Sequence, residues 1–187
     1  CTAIFGNTLY CGAGKKVYSN AMSAPFAWSE VASHGLIANA ASMAVFGGKL
    51  WVSQGAAGIV RAYDGTTWYD VAEAVATDGV IAAGSLTTVS SATNSFLPAS
   101  GWAAGKRVCL FKAGGYAYVR TISAVDPGGA SITLTTDGVA ETDISCYLEG
   151  VFGDDFLVAN GALYLTQTPN HLIYTTSSDP ANPWSAE

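Results

Sequence analysis

The stretch Ala159–Trp184, ANGALYLTQTPNHLIYTTSSDPANPW, decides the reading of this chain, because the chain states it two more times. The other statements are FGNTLYCGAGKKVYSNAMSAPFAW, Phe5–Trp28, and FGGKLWVSQGAAGIVRAYDGTTW, Phe46–Trp68. Each opens on small turn residues: Gly6-Asn7, Gly47-Gly48 and Asn160-Gly161. Leu and an aromatic follow as Leu9-Tyr10, Leu50-Trp51 and Leu163-Tyr164. A second β-rich run is centred on Val17-Tyr18, Ile59-Val60 or Ile173-Tyr174, and a polar turn then leads to a closing Trp. From Leu to Trp the spacings are 19, 18 and 21 residues. Internal repetition outranks any single motif in fixing an architecture.

Leu9 and Leu50 are 41 residues apart, within the ~40–45 typical of a four-stranded propeller blade. Blades pack on both faces, which accounts for apolar residues on both sides of these strands. Leu50 to Leu163 is 113 residues, and the excess over the first interval falls between about Ala76 and Gly150. There SLTTVSS, KRVCLFKA, YAYVRTISAVD and SITLTTD read as strands, separated by Asn94-Ser95, Pro98–Gly101, Gly114-Gly115 and Asp126-Pro-Gly-Gly129. Pro presets φ and Gly supplies positive φ, so these are turns. The expected fold is all-β: a partial β-propeller of three blade-like repeats with an inserted small β-barrel or sandwich of four or five strands. Its parts are blades one and two over 1–75, the insertion over 76–150 and the third blade over 151–187. Between the first blades, Ala38–Met43 has some helical character, but a last strand and connector fit the repeat better.

Charge narrows the function. Only 12% of the 187 residues are charged, against roughly 25% in ordinary soluble domains. Surface is therefore expected to be covered by other chains. Net charge is −6 with 8 Lys+Arg and no basic cluster, so specific nucleic-acid reading is not expected. No apolar run approaches the ~20 residues of a membrane span. The chain begins at Cys1, as expected of a piece of a longer polypeptide, a processed end or a lipid-modified cysteine. Cys1, Cys11, Cys109 and Cys146 lack metal-ligand spacing. Cys11 takes the repeat position of Val52 and Leu165 and reads as a small buried hydrophobe; one disulfide among the others stays open.

The remaining chemistry is thin. CGAGKK, with Lys15-Lys16, lacks phosphate-loop spacing and reads as a solvated turn. His34 and His171 sit in turn-like settings, and no nucleophile elbow accompanies them. Asp154-Asp155 could bind a cation, but neighbours on a strand point to opposite faces, so a turn is the better reading. Asp126, Asp137 and Asp143 read as turn residues. Tyr63, Trp68 and Tyr69 beside Asp64-Gly65 could form a shelf for a glycan, although the repeat assigns Trp68 to packing. No catalytic residue, metal ligand or cofactor site is expected.

Ser177, Asp179 and Trp184 resemble the Asp-box hairpin of sialidase-like propellers, with Ala181 and Pro183 in place of its Gly and Thr; Asp64-Gly-Thr-Thr-Trp68 is a shorter version. In that motif the short polar side chains brace the turn's own backbone, which is a structural role. An arginine clamp of the sialidase kind would have only Arg61, Arg107 and Arg120 to draw on. Leu163-Tyr164, Pro169-Asn170, Ile173-Tyr174, Ser178-Asp179-Pro180 and Trp184 together resemble a recurring element of tail proteins of short-tailed bacteriophages, of the tubular nozzle and DNA-stabilisation type. The first repeat lacks the Asp and the Pro-Asn turn. The resemblance implies a non-enzymatic virion protein with propellers and inserted domains, packed against copies of itself or other virion proteins in a ring near the portal. The second expectation, from another class, is a secreted or surface-anchored propeller that binds carbohydrate.

Overall fold

Two-residue turns that need positive φ set the frame of the molecule. Gly6, Gly47, Gly48, Asn160 and Gly161 all have φ between 50° and 74°, and each turn closes a hairpin whose twist such residues match. The hairpins pair β1 (Thr2–Phe5) with β2 (Thr8–Ala13), β5 (Met43–Phe46) with β6 (Lys49–Val52), and β15 (Phe156–Ala159) with β16 (Ala162–Gln167). The computed structural model describes residues 1–22, 27–112, 117–167, 171–182 and 184–186. The turns at Gly114-Gly115 and Pro169-Asn170 lie outside the described residues.

Each hairpin grows into a four-stranded antiparallel meander. Sheet 1 adds β3 (Lys16–Ala21) and β4 (Ser29–Glu30), and sheet 2 adds β7 (Arg61–Tyr63) and β8 (Trp68–Asp70). Sheet 3 adds β17 (His171–Thr175) and β18 (Ser185–Ala186). Register is the same in all three: Leu9 faces Ile4, Leu50 faces Val45 and Leu163 faces Val158. Tyr10, Trp51 and Tyr164 face Ala3, Ala44 and Leu157 in turn. Because side chains alternate, each sheet has a leucine face and an aromatic face.

Sheet 2 lies between the other two. Tyr10 and Val17, on the aromatic face of sheet 1, share a buried cluster with Leu50 and Val52 on the leucine face of sheet 2. Trp51, Val60 and Ala62, on the aromatic face of sheet 2, share another with Leu163, Leu165 and Ile173 on the leucine face of sheet 3. Burial on both sides explains the run Leu50-Trp51-Val52, where all three residues are fully buried. Between sheets 1 and 2 the chain forms no helix. The connector runs extended, with Ala40 N donating to Gly14 O and Ala41 N to Ser53 O, both at 2.9 Å.

These sheets, from 1–71 and 151–187, form one compact unit, and Ala72–Gly150 forms the other. The second is a closed barrel in the order β10-β13-β12-β11-β14-β9, with β9 pairing back onto β10. Its strands are β9 (Ala74–Ile81), β10 (Thr88–Ser91), β11 (Arg107–Phe111), β12 (Ala117–Val125), β13 (Ser131–Leu134) and β14 (Glu141–Leu148). Six strands replace the expected four or five. β9 and β14 escaped the reading because Asp78-Gly79 and Asp143 interrupt their alternation, and β14 pairs with β9 through register shifts. Gly79 is required there, since a Cβ would sit 2.8 Å from Cys146 Sγ and 2.9 Å from Ile144 O. Side chains fill so narrow a barrel: Val89, Val108, Leu110, Ile122, Ile132 and Ile144 pack inside with Phe96 edge-on to Trp102 at 4.9 Å.

Among the described residues, no helix is long and apolar enough to cross a membrane. All four cysteines are free. Cys109 and Cys146 stand on neighbouring strands, one residue out of register, so Cys146 enters the barrel core while Cys109 turns to the other side of the wall.

Candidate functional site

The acidic turns hold themselves. Asp64 Oδ1 accepts from Thr66 N, Thr66 Oγ1 and Thr67 N, each at 2.8 Å, and Oδ2 accepts from Tyr69 OH at 2.7 Å. Those donors, led by Thr67 N–H, drive its carboxyl well below the usual carboxylate range. Asp64 in turn pushes the Tyr69 phenol up. The third repeat does the same with other residues: Asp179 N donates to Ser177 Oγ at 3.0 Å, Ala181 N to Asp179 Oδ1 at 3.0 Å and Asn182 Nδ2 to Ser177 Oγ at 2.7 Å. Both are loop braces of the kind short polar side chains form.

The glycan shelf separates into two sides of a sheet. Tyr63 and Trp68 stack at 4.6 Å on the leucine face of sheet 2, where they pack toward sheet 1, and Tyr63 meets Tyr10 edge-on at 6.1 Å. Tyr69, one residue on, projects from the opposite face and is exposed. Trp68 is therefore a packing residue, and the three rings do not form one platform.

Asp154-Asp155 is a buckle between sheets 2 and 3. Ser53 Oγ donates to Asp154 O at 2.8 Å and Ser42 Oγ to Asp155 Oδ1 at 2.6 Å, while Ser42 N donates to Ser53 Oγ at 3.1 Å. Among the described residues no three His, Cys, Asp or Glu side chains are grouped to hold a metal ion. Asp126 Oδ2 accepts from Gly128 N at 2.9 Å and Ala130 N at 3.2 Å, a turn brace. Asp137 offers its backbone carbonyl to Arg120 Nε at 2.9 Å, and Asp143 sits at φ 56° taking a bond from Thr142.

The arginines each have their own work. Arg61 pairs with Asp70 at 3.1 Å on sheet 2, where burial pushes the Asp70 carboxyl up against the pull of the guanidinium. In the barrel, Arg107 pairs with Glu149 at 3.0 Å, and Arg120 lies 4.7 Å over the Tyr118 ring. Lys16 pairs with Glu30 at 2.7 Å, and Glu30 also meets His34 Nε2 at 3.4 Å while Leu36 N donates to His34 Nδ1. His171 opens β17. Burial raises the Cys109 thiol to about 12 and pushes that of Cys146 higher still, so neither offers a ready thiolate.

Two structural centres had no sequence motif. Gln54, buried, accepts from Ile37 N at 2.7 Å and Ala38 N at 2.9 Å and donates to Ile59 O, tying three segments together. Asp78 gathers Ser91, Thr93 and Ser95 hydroxyls at 2.7–3.0 Å. Desolvation raises its carboxyl, but these bonds outweigh it and hold it at about 2. The Ser/Thr-rich run Ser90–Ser95 was the one available signal.

Among the described residues, two sheet faces are covered by no other sheet, although Asn20 on the first of them is itself buried. Cys11, expected to be buried, is half-buried on the leucine face of sheet 1, beside half-buried Leu9 and Tyr18. No described sheet covers that face, whereas Val52 and Leu165 at the same position are fully buried. On the aromatic face of sheet 3, Tyr164, Leu172 and Tyr174 are half-buried and Leu157 is 63% exposed. The chain matches no family model, no curated protein and no solved structure.

Proposed function

We propose that this chain is a non-enzymatic structural subunit of a virion, a component of a bacteriophage tail or of the ring next to the portal. In this reading the three sheets are consecutive blades of a β-propeller, and the barrel is a domain inserted between its second and third blades. The observation that carries the reading is the repeated stack, in which the aromatic face of one meander meets the leucine face of the next in a shared register. Such a stack has no reason to stop at three, and a chain with 12% charged residues is suited to burial among other chains. The resemblance of Leu163-Tyr164, Ile173-Tyr174, Ser178-Asp179-Pro180 and Trp184 to tail proteins of short-tailed phages supplies the virion. The polar side chains described above are consumed in bracing turns and buckling sheets, which suits a load-carrying part. The test is peptide mass spectrometry of density-purified phage particles that encode the sequence, with immunogold labelling by antibody to the purified chain. Label at one pole of the particle is expected. Particles free of its peptides overturn the reading.

A further inference from the structure

Sheet 3 departs from sheet 2 at one corner. Tyr174 and Ser185 are cross-strand partners on β17 and β18, and Ala62 and Tyr69 hold the same places on β7 and β8. Sheet 2 thus sets a small residue beside a large one, and sheet 3 a large residue beside a small one. Four residues, 64–67, join β7 to β8, whereas nine, 176–184, join β17 to β18. In sheet 2 the Tyr69 phenol reaches Asp64 Oδ2 at 2.7 Å and closes the corner. In sheet 3 a serine stands in that place, and the longer connection borders a hollow of about 350 Å³. It is lined by Tyr174, Thr175, Thr176, Ser177, Asn182 and Ser185. Small-molecule sites span roughly 300–1,000 Å³, so the hollow is large enough for one sugar ring or two.

The lining is uncharged and rich in hydroxyls. Ser177 Oγ accepts from Asp179 N at 3.0 Å and from Asn182 Nδ2 at 2.7 Å, which fills its acceptor sites and leaves its own O–H to donate. Thr175, 4% exposed, accepts from Ser177 N at 3.1 Å. These bonds set both hydroxyls in place before a ligand arrives. Thr176, Asn182 and Ser185 stand exposed around them with further donors and acceptors. Tyr174 adds a ring, beside that of Tyr164 at 5.6 Å and 31°, and a phenol has an apolar face and a polar tip. None of the six is Lys, Arg or His, and Asp179 follows two residues after Ser177, so an anion would meet no counter-charge. A pyranose, with C–H faces rimmed by hydroxyls, matches this lining group for group.

This corner of a meander stays open even under a covering sheet. Sheet 3 packs on the aromatic face of sheet 2 and buries Trp51 and Ala62 completely. Gly65, Thr66, Thr67 and Tyr69 of sheet 2 are nonetheless exposed. The polar side of the hollow, from Thr176 to Ser185, occupies the equivalent turn and outer strand. Its access therefore does not depend on what packs against the strands before it. We propose that the hollow binds a neutral saccharide: one pyranose of a glycan lays a C–H face on the Tyr174 ring and shares its hydroxyls with Thr176, Ser177, Asn182 and Ser185. The site does not rest on the virion reading, and either can fail without the other.

The experiment probes an array of neutral and sialylated mono- to tetrasaccharides with the whole labelled chain, then measures saturation-transfer NMR on the strongest neutral disaccharide. Binding to a neutral sugar is expected, with saturation strongest on the ring protons of one face. Ser185→Tyr puts at that place the residue that sheet 2 carries. The position is exposed, so the variant should keep its circular dichroism and melt while losing affinity at least about tenfold, as the hollow fills. Thr176→Val exchanges a hydroxyl for a methyl at an exposed position and should weaken binding several-fold. Tyr69→Phe, on sheet 2, should leave it unchanged. An array with no neutral ligand, a preference for sialylated over neutral sugars, or an affinity that survives Ser185→Tyr in a folded chain overturns the proposal.

Discussion

At the scale of single residues, the polar chemistry described in this protein is directed inward, to its own turns and strands. Asp78 shows the pattern well, because desolvation and hydrogen bonding oppose each other there and the bonds win. Its folded carboxyl titrates at about 2, below the ordinary 3.8. A depressed acid contributes stability that is present above the unfolded value and lost as pH falls through the folded one. Asp78→Asn should therefore destabilise the barrel by about 1 kcal/mol at neutral pH, a figure discounted for its exposure. The gap between mutant and parent should narrow as pH drops from 3.8 toward 2, read by urea denaturation. A gap unchanged at low pH would remove the charge from the explanation. Gln54 makes a different case, since its value lies in the groups it satisfies. Gln54→Ala strands Ile37 N, Ala38 N and Ile59 O, and should cost about 3 kcal/mol of the three-sheet unit. Gln54→Leu should not rescue it, because shape without a donor and acceptor leaves the same groups unpaired.

At the scale of elements, the three hairpins are alike in sequence and unlike in surroundings. Gly6 and Gly47 both open a two-residue turn, at φ 60° and 56°. A Cβ at Gly6 would meet nothing within 4 Å, whereas one at Gly47 would lie 2.4 Å from Ser178 Cβ and 3.0 Å from its Cα. Gly6→Ala should thus cost only the left-handed backbone conformation, about 1–2 kcal/mol. Gly47→Ala carries the same cost and must also shift the neighbouring turn, adding about 1–3 kcal/mol by overpacking. Denaturation midpoints of the pair measure the difference, and equal effects would mean that sheet 3 yields freely at that turn. Trp51 adds a second contrast, because its strand is buried on both faces. Phe46 O accepts from its indole Nε1 at 3.0 Å, so the ring is satisfied as well as enclosed.

At the scale of the whole molecule, two cores fold from one chain, and each unit keeps its own ends together. Val151 N donates to Val71 O at 2.9 Å in the three-sheet unit, and Glu73 N donates to Leu148 O at 2.9 Å in the barrel. An insertion whose ends already meet adds little loop-closure cost. Replacing Ala72–Gly150 with a short Gly-Ser linker should leave the three sheets with a cooperative melt. Residues 72–150 alone should also melt cooperatively, with near-ultraviolet signal from Trp102 against Phe96. A broad, non-cooperative transition in either piece would mean that the two cores are not independent.

The sequence by itself determined the hairpin strands of the three repeats, their turns, the threefold statement of the meander and the presence of a β insertion. Those features are local: alternation sets which side a residue faces, and Gly or Asn at positive φ sets where a strand turns back. Tertiary structure alone decided that the insertion closes as a barrel, because closure depends on β9 meeting both β14 and β10, pairings of strands whose own patterns are interrupted. It also decided the fates of residues that the repeat makes equivalent. Cys11, Val52 and Leu165 share a position, and so do Trp28, Trp68 and Trp184, yet only the members facing another sheet are well covered. A repeat encodes which face is apolar. What covers that face is a property of the neighbour, which the pattern of the strand itself does not record.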